Sequence, residues 1–321
     1  MKLSYLHPIH KTVASTNNDG TLFFEDTREV LQLDDGCLDF IVLGDVSEDK
    51  IHYDEYYIKY SRNHFPAISE EYLKKLWHKN SAYSMLYESM GEFKDKKILL
   101  LGNGVSLKEL LFIIKGGKVV YTDISIEAVK CIKELFAKSK FYETYKYNIE
   151  FQAIDAFNLP YKDETFDIIY GCAFVHHLND LPQFVTEVSR CLKADGACLF
   201  LDDAYSGWWQ FLKRTILRPI QIYSHWKTGI SPEDKIATIK GGYKETEVNL
   251  LLSKYGFNSI IFKRVSLFEH LFRRGILKLT SKKVNRPFVW LGKFIDKKLL
   301  GNRFIEKVGM NLVWGGKKLK D

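Results

Sequence analysis

Residues 97–125, KILLLGNGVSLKELLFIIKGGKVVYTDIS, decide the fold. Ile98 to Leu101 form an unbroken apolar run, the pattern of a strand covered on both faces of a parallel sheet. Gly102-Asn103-Gly104 then turns the chain; glycine lets backbone approach a ligand closely, and the helix predicted over 105–115 offers its N-terminus. A second apolar strand, 119–122, ends on Asp123, an acid suited to a ribose diol. Strand, glycine turn, helix and acid-tipped strand together read as a nucleoside-binding βαβ unit. The dinucleotide fingerprint G-x-G-x-x-G needs a third glycine where this chain has Leu107, which argues against a nicotinamide cofactor.

The same rhythm continues downstream. Predicted strands at 147–154, 168–172 and 197–201 end at Asp155-Ala156, at Cys172-Ala173 with His176-His177 just beyond, and at Asp202-Asp203. Helices at 127–138, 182–192 and 245–254 separate them, and further strands are predicted at 259–265 and 310–314. The alternation predicts an α/β protein with a doubly wound, mostly parallel sheet, whose ligands sit outside the carboxyl ends of the strands. Ahead of this core, residues 51–92 are aromatic and helical in pattern, with Ser69 as an N-cap before Glu70 and Glu71. Two stretches break the rhythm and read as insertions. Residues 204–243 carry Trp208, Trp209, Arg214, Arg218 and Trp226; residues 266–306 are basic and aromatic.

The glycine turn, Asp123, the phrase DAFNLPYKDETFDIIYGCAFVHHL and the turn LKADGACLFLDD resemble, in order and spacing, the class I S-adenosylmethionine (SAM) dependent methyltransferases of small molecules. The resemblance covers about residues 93–203. It implies a Rossmann-like seven-stranded sheet with the last strand antiparallel, and SAM as cofactor. It implies that Gly102, Asn103 and Gly104 face the methionine moiety and ribose, and that Asp123 takes the ribose hydroxyls while Ile124 packs on adenine. Asp155 and Ala156 would meet the adenine edge, and Cys172 and Ala173 would give backbone contacts near the methionine end. The segment ahead of the first strand would lid the cofactor, which points to Tyr56, Tyr60 or His64. His176 or His177 would act as a base on an acceptor hydroxyl, oriented by Asp202 or Asp203, with Asp203 taken as the third catalytic residue.

Two positions depart from that family's pattern: Leu100 stands where an acid is usual, and Ser106 where a third glycine often falls. They keep open a catalytically silent binding subunit as the alternative, and the basic C-terminal region keeps open a nucleic-acid methyltransferase. Residues 1–50 resemble the zinc-ribbon modules that precede many bacterial methyltransferase domains, with Asp35-Gly36-Cys37-Leu38-Asp39-Phe40 at the closing phrase. His7 and His10 fall at the first ligand pair, but Phe24 and Thr27 fall at the second. Structural zinc wants four N or S ligands, so a metal-free β module is expected, held by strands such as 22–24 and 40–42. The predicted organisation is a β module over 1–50, a lid over 51–92, and a SAM-binding domain over 93–321.

Across 321 residues, 46% are apolar and 27% charged, as in ordinary globular proteins. No run reaches the roughly 20 apolar residues that span a bilayer, and the first residues lack a signal-peptide pattern. Five cysteines without C-x-x-C spacing suit a reducing, cytoplasmic setting. Net charge is +7, yet residues 260–321 alone hold 16 Lys and Arg against 4 Asp and Glu. That asymmetry, with the apolar stripe of Phe288, Leu291, Phe294, Ile295 and Leu299, points to an anionic membrane surface or a protein partner, or else to core packing with snorkelling lysines. The acceptor is expected to be a small molecule, a glycan or a lipid-linked intermediate, methylated on a hydroxyl oxygen.

Overall fold

The structure is a computed structural model that describes residues 3–44, 48–60, 65–204, 242–274 and 282–320. Its first strands, β1 (Ala14–Thr16), β2 (Leu22–Phe24) and β3 (Glu29–Leu31), form a small antiparallel sheet. A hairpin of β4 (Leu33–Asp34) and β5 (Cys37–Asp39) follows. Helices α1 (Glu48–Tyr60), α2 (Glu70–Trp77) and α3 (Ser81–Ser89) come next. The Ser69 side chain caps α2, accepting from the Tyr72 N–H at 3.1 Å, as the sequence predicts.

The central strands are β6 (Lys97–Leu101), β7 (Lys118–Asp123), β8 (Ile149–Ala153), β9 (Phe166–Cys172) and β10 (Leu192–Asp203). Helices α4 (Leu110–Ile114), α5 (Ile126–Ala137), α6 (Tyr142–Tyr145) and α7 (Leu181–Cys191) lie between them. The chain closes with α8 (Glu245–Lys254), β11 (Phe257–Val265), α9 (Phe268–Arg274), α10 (Lys282–Phe294), a π-helical stretch Ile295–Leu300, α11 (Gly301–Val308) and β12 (Asn311–Lys318). The sheet order is β11-β12-β10-β9-β6-β7-β8-β5-β4. β12 runs antiparallel to both β10 and β11, while β6 to β10 are mutually parallel. The strand order reverses beside β6, so the switch point falls between β6 and β9.

The sheet has nine strands among the described residues, two more than the seven expected, because the N-terminal module donates its own. β5 pairs in parallel with β8, matching Leu38 to Gln152 and Asp39 to Ala153. The module is also tied down by Tyr5, whose hydroxyl donates to Glu150 and accepts from Gln152 Nε2 at 2.9 Å. Residues 40–42, read as a strand in the sequence, instead form a 3-10 turn, because the Asp39 carboxylate accepts from the Ile41 N–H and curls the chain. Among the described residues, no group of three or more His, Cys, Asp or Glu is placed to hold a metal. Buried His7 links the two halves of the module: Nε2 lies 2.8 Å from Glu29, and Nδ1 accepts from the Ile9 and His10 amides at 3.2 Å.

Each face of the sheet carries its own apolar layer, one holding Phe166, Phe184, Phe200 and Trp314, the other Trp77, Phe112, Phe136 and Tyr170. Helix α4 is shorter than the sequence predicts. Buried Tyr121 explains the difference: its hydroxyl accepts from the Ser106 N–H at 3.0 Å and donates to the Gly104 and Ser106 carbonyls, holding 104–106 as a loop.

Candidate functional site

The carboxyl ends of the central strands meet at the glycine loop. Gly102 and Gly104 take φ of +59° and +53°, the left-handed region that glycine tolerates. Both also give room to neighbours: a Cβ on Gly102 would lie 2.4 Å from the Phe174 ring, and one on Gly104 would lie 2.1 Å from the Tyr57 hydroxyl. The loop is stitched to β7, with the Asn103 N–H donating to the Thr122 carbonyl at 3.2 Å and the Gly104 N–H to Asp123 Oδ2 at 2.7 Å. Asp123 Oδ1 accepts from the Ser125 N–H at 3.0 Å, and its carbonyl accepts from Ile154 at the end of β8. Burial pushes the Asp123 carboxyl up to about 6; these backbone donors oppose the shift and nearby Asp54 adds to it.

Asp155 closes its own turn, Oδ1 accepting from the Phe157 N–H and Oδ2 from Asn158 Nδ2, each at 2.9 Å. Ile124 packs half-buried on one core layer and Ala156 on the other. Ala173 holds φ at +59° and donates its N–H to the Leu201 carbonyl at 2.7 Å, bending the chain off β9 towards the histidines. The 3-10 turn Val175–His177 then brings His176 and His177 together, ring centres 4.0 Å apart.

The sequence offers Asp202 or Asp203 to orient the histidines, with Asp203 taken as the third catalytic residue; in the structure it is Asp202 that meets His176. Along β10, alternation places Asp202 and Asp203 on opposite faces of the sheet. Asp202 Oδ1 lies 3.0 Å from His176 Nδ1, and Oδ2 accepts from Trp314 Nε1 at 3.3 Å. Asp202 is buried, and desolvation raises its carboxyl against the pull of His176. The His176 side chain is 31% exposed.

The sequence points to Tyr56, Tyr60 or His64 in the lid. Tyr56 is exposed and lies edge-on to Tyr57, while the Tyr60 side chain, His64, Trp208, Trp209, Arg214, Arg218 and Trp226 lie outside the described residues. Tyr53 and Tyr57, one turn apart on α1, reach the strand ends. Tyr53 Oη is 3.4 Å from His177 Nδ1, and Tyr57 covers Gly104. Between them Asp54 accepts from Ser125 Oγ and from Lys50 Nζ at 2.8 Å, with Asp39 another 3.6 Å from that ammonium. The i, i+4 spacing of Lys50 with Asp54 and of Tyr53 with Tyr57 is the sequence signal for this face.

A buried polar cluster beneath the loop was not visible in the sequence. Lys108 Nζ pairs with Glu109 and lies 3.0 Å from Ser106 Oγ; the Tyr170 hydroxyl donates to Glu109 Oε1 at 2.9 Å. Burial opposes the Lys108 charge, yet Cys172, Glu109 and Tyr83 nearby hold it protonated above the ordinary lysine range. Among the described residues, Glu109 Oε2 and both side-chain polar atoms of buried Asn103 find no hydrogen-bond partner. Buried polar atoms in native proteins are normally satisfied.

Residues 99–200 match the family described as a methyltransferase domain. An uncharacterized methyltransferase of Bacillus subtilis, YcgJ, is 34% identical over 111 residues, which is 34% of this chain and 41% of that protein. The chain thus spans less than half the length of that relative. Among solved structures, geranyl diphosphate C-methyltransferase of Streptomyces coelicolor superposes with a TM-score of 0.52 at 11% identity, covering 86% of this chain and all of that one. A methyltransferase of Haloferax volcanii, solved with the activator Trm112, gives 0.51 at 12% identity with coverage of 86% and 100%. These likenesses establish the Rossmann-like methyltransferase fold.

The cofactor of that domain is S-adenosylmethionine, and the residues present fit it. The orphaned Asn103 amide can serve the amino and carboxylate groups of a methionine moiety. Asp123 and Asp155 each keep acceptor capacity, since a carboxylate oxygen can take a second donor.

Proposed function

We propose that the protein is a SAM-dependent methyltransferase that methylates a hydroxyl oxygen of a small-molecule, glycan or lipid-linked acceptor. The observation that carries the reading is the Trp314–Asp202–His176 chain beside the glycine loop. When bound, the cofactor supplies an electrophilic methyl group on a sulfonium. Gly102, Asn103, Gly104, Asp123, Ile124, Asp155, Ala156, Cys172 and Ala173 would hold it. Asp202 keeps the Nδ1 proton of His176, which leaves the basic lone pair on Nε2. His176 then removes the acceptor's proton, and Asp202 stabilises the imidazolium while the Trp314 indole fixes its carboxylate. Holding acceptor and methyl in line contributes about 7–11 kcal/mol, and the base about 10²–10⁴-fold. His177, turned towards Tyr53, would position the lid rather than carry the proton.

Calorimetry with SAM and S-adenosylhomocysteine, followed by methyl-transfer assays over a panel of hydroxylated acceptors, tests the proposal. Binding of both ligands is expected, with His176→Ala lowering turnover about 10²–10⁴-fold and leaving S-adenosylhomocysteine affinity unchanged. Absence of binding to either ligand would overturn the assignment. A catalytically silent subunit is the second reading, favoured by Leu100 and by Tyr57 lying on Gly104. Tight cofactor binding without turnover on any acceptor would select it.

A further inference from the structure

The C-terminal basic region turns an apolar face outwards. Two contacts fix which side of α10 meets the protein. A Cβ on Gly292 would lie 2.8 Å from the Phe268 and Glu269 backbone, so that side presses directly on α9. Asp296, one turn on, points the same way and caps α9, accepting from the Leu267, Phe268 and Glu269 amides at 2.9–3.0 Å.

The opposite side carries Pro287, Trp290, Leu291 and Phe294, at i, i+3, i+4 and i+7 on one stripe. Trp290 is 67% exposed, Leu291 40% and Phe294 44%, with Trp290 and Phe294 stacked at 5.9 Å. Packing against the described residues therefore does not account for this face. A surface helix of a globular protein normally sends such a stripe inwards and its charges outwards. Here the next turn adds exposed Lys297 and Lys298, with exposed Arg303 and Lys307 further along α11. The acid nearest the stripe, Asp296, is buried and committed to α9.

We propose that α10 docks the protein on an anionic lipid bilayer. Trp290, Leu291 and Phe294 enter the interfacial layer, and Lys297 and Lys298 meet the lipid phosphates. Trp, Phe and Leu flanked by lysines are the side chains an interfacial helix uses, and aromatic rings settle at headgroup depth. The excess of 16 basic over 4 acidic residues across 260–321 is complementary to that charge. Docking is shallow, since no helix among the described residues is long and apolar enough to cross a membrane. The proposal stands independently of methyl transfer, although it would bring a lipid-linked acceptor within reach.

Flotation of the full chain with phosphatidylcholine vesicles, with and without phosphatidylglycerol, is the test. Binding is expected to the anionic vesicles alone and to weaken with added salt. The pair Trp290→Ser and Phe294→Ser should reduce it about tenfold or more, and the pair Lys297→Glu and Lys298→Glu comparably. These residues are exposed, so thermal melting and S-adenosylhomocysteine binding should stay unchanged in both pairs. Wild-type protein that ignores anionic vesicles, or apolar variants that bind them as tightly, would overturn the proposal. So would self-association by light scattering, without vesicle binding, that the Trp290 and Phe294 substitutions abolish; the face would then be a contact between copies.

Discussion

Helices α1 and α5 lie against each other over the same end of the sheet, yet they are held by opposite means. α5 buries Ile126, Ala128, Val129, Cys131, Ile132 and Phe136 and starts from a capped Ser125. α1 leaves Ile51 and Ile58 in solvent and buries Lys50. Its seat is a row of polar contacts: Lys50 to Asp54 and Asp39, Asp54 to Ser125, and Tyr53 to His177. Apolar burial contributes about 25 cal/mol per Å², whereas the attraction within a buried ion pair is largely offset by the cost of taking both charges out of water. The difference separates the frame of the site from its cover. If the glycine loop holds the proposed cofactor, this cover has to be separable, because the Tyr57 hydroxyl lies directly over Gly104.

The largest effect that would break this contrast is on stability. Phe136→Ala, which empties a fully buried ring from α5, should cost about 3–5 kcal/mol. Ile58→Ser on α1 should stay within about 0.5 kcal/mol. Urea denaturation of both variants checks the pair; similar losses would mean that α1 is part of the frame.

The second effect is a pH dependence at Asp123, where cover and frame meet. Its carboxyl is raised in the fold to about 6 from an ordinary 3.8. A raised acid favours the protonated form in the native state, so its contribution is present below the unfolded value and is lost as pH climbs from about 4 through about 6. At about 1.4 kcal/mol per unit the loss is on the order of 3 kcal/mol. Denaturation at pH 4 and pH 7 should show that decline in the wild-type chain relative to Asp123→Asn. An equal pH response in both would place the titration elsewhere. Ligand affinity should run the other way: ribose hydroxyls donate best to the ionised acid, so S-adenosylhomocysteine should bind more tightly above pH 6 in the wild type.

What the sequence conveyed and what it hid follow the same division. The strand tips were legible because apolar runs ending in Gly102, Asp123, Asp155 and Asp202 record local chemistry. The extra strand beside β8 was not, because Leu38 meets Gln152 across 114 positions and three residues of β5 carry no pattern of their own. Asp202 and Asp203 both stood as partners for the histidines in the sequence, because adjacent strand residues differ only in the face they turn to. The sequence did not single out Tyr53 and Tyr57, because YDEYYIKY offers four tyrosines and the seat is chosen by polar partners remote in sequence, Ser125 and His177. Lys108 and Glu109 carry no local signal of burial, which comes from Tyr170 and Trp77 closing over them.

The smallest effect is also the sharpest test of the cover. Asp54→Asn keeps an acceptor for Ser125 Oγ but removes the charge that Lys50 meets at 2.8 Å. Asp39, 3.6 Å from the same buried ammonium, keeps Lys50 paired, so global stability should fall by about 1 kcal/mol rather than by the cost of a stranded buried charge. If α1 opens independently of the core, the same energy raises its open fraction about fivefold, and apparent affinity scales with the competent fraction. Stopped-flow binding should therefore show S-adenosylhomocysteine associating a few-fold faster with Asp54→Asn. Slower association or weaker binding would mean that Asp54 belongs to the bound ligand's own contacts, and α1 would then be a wall of the pocket.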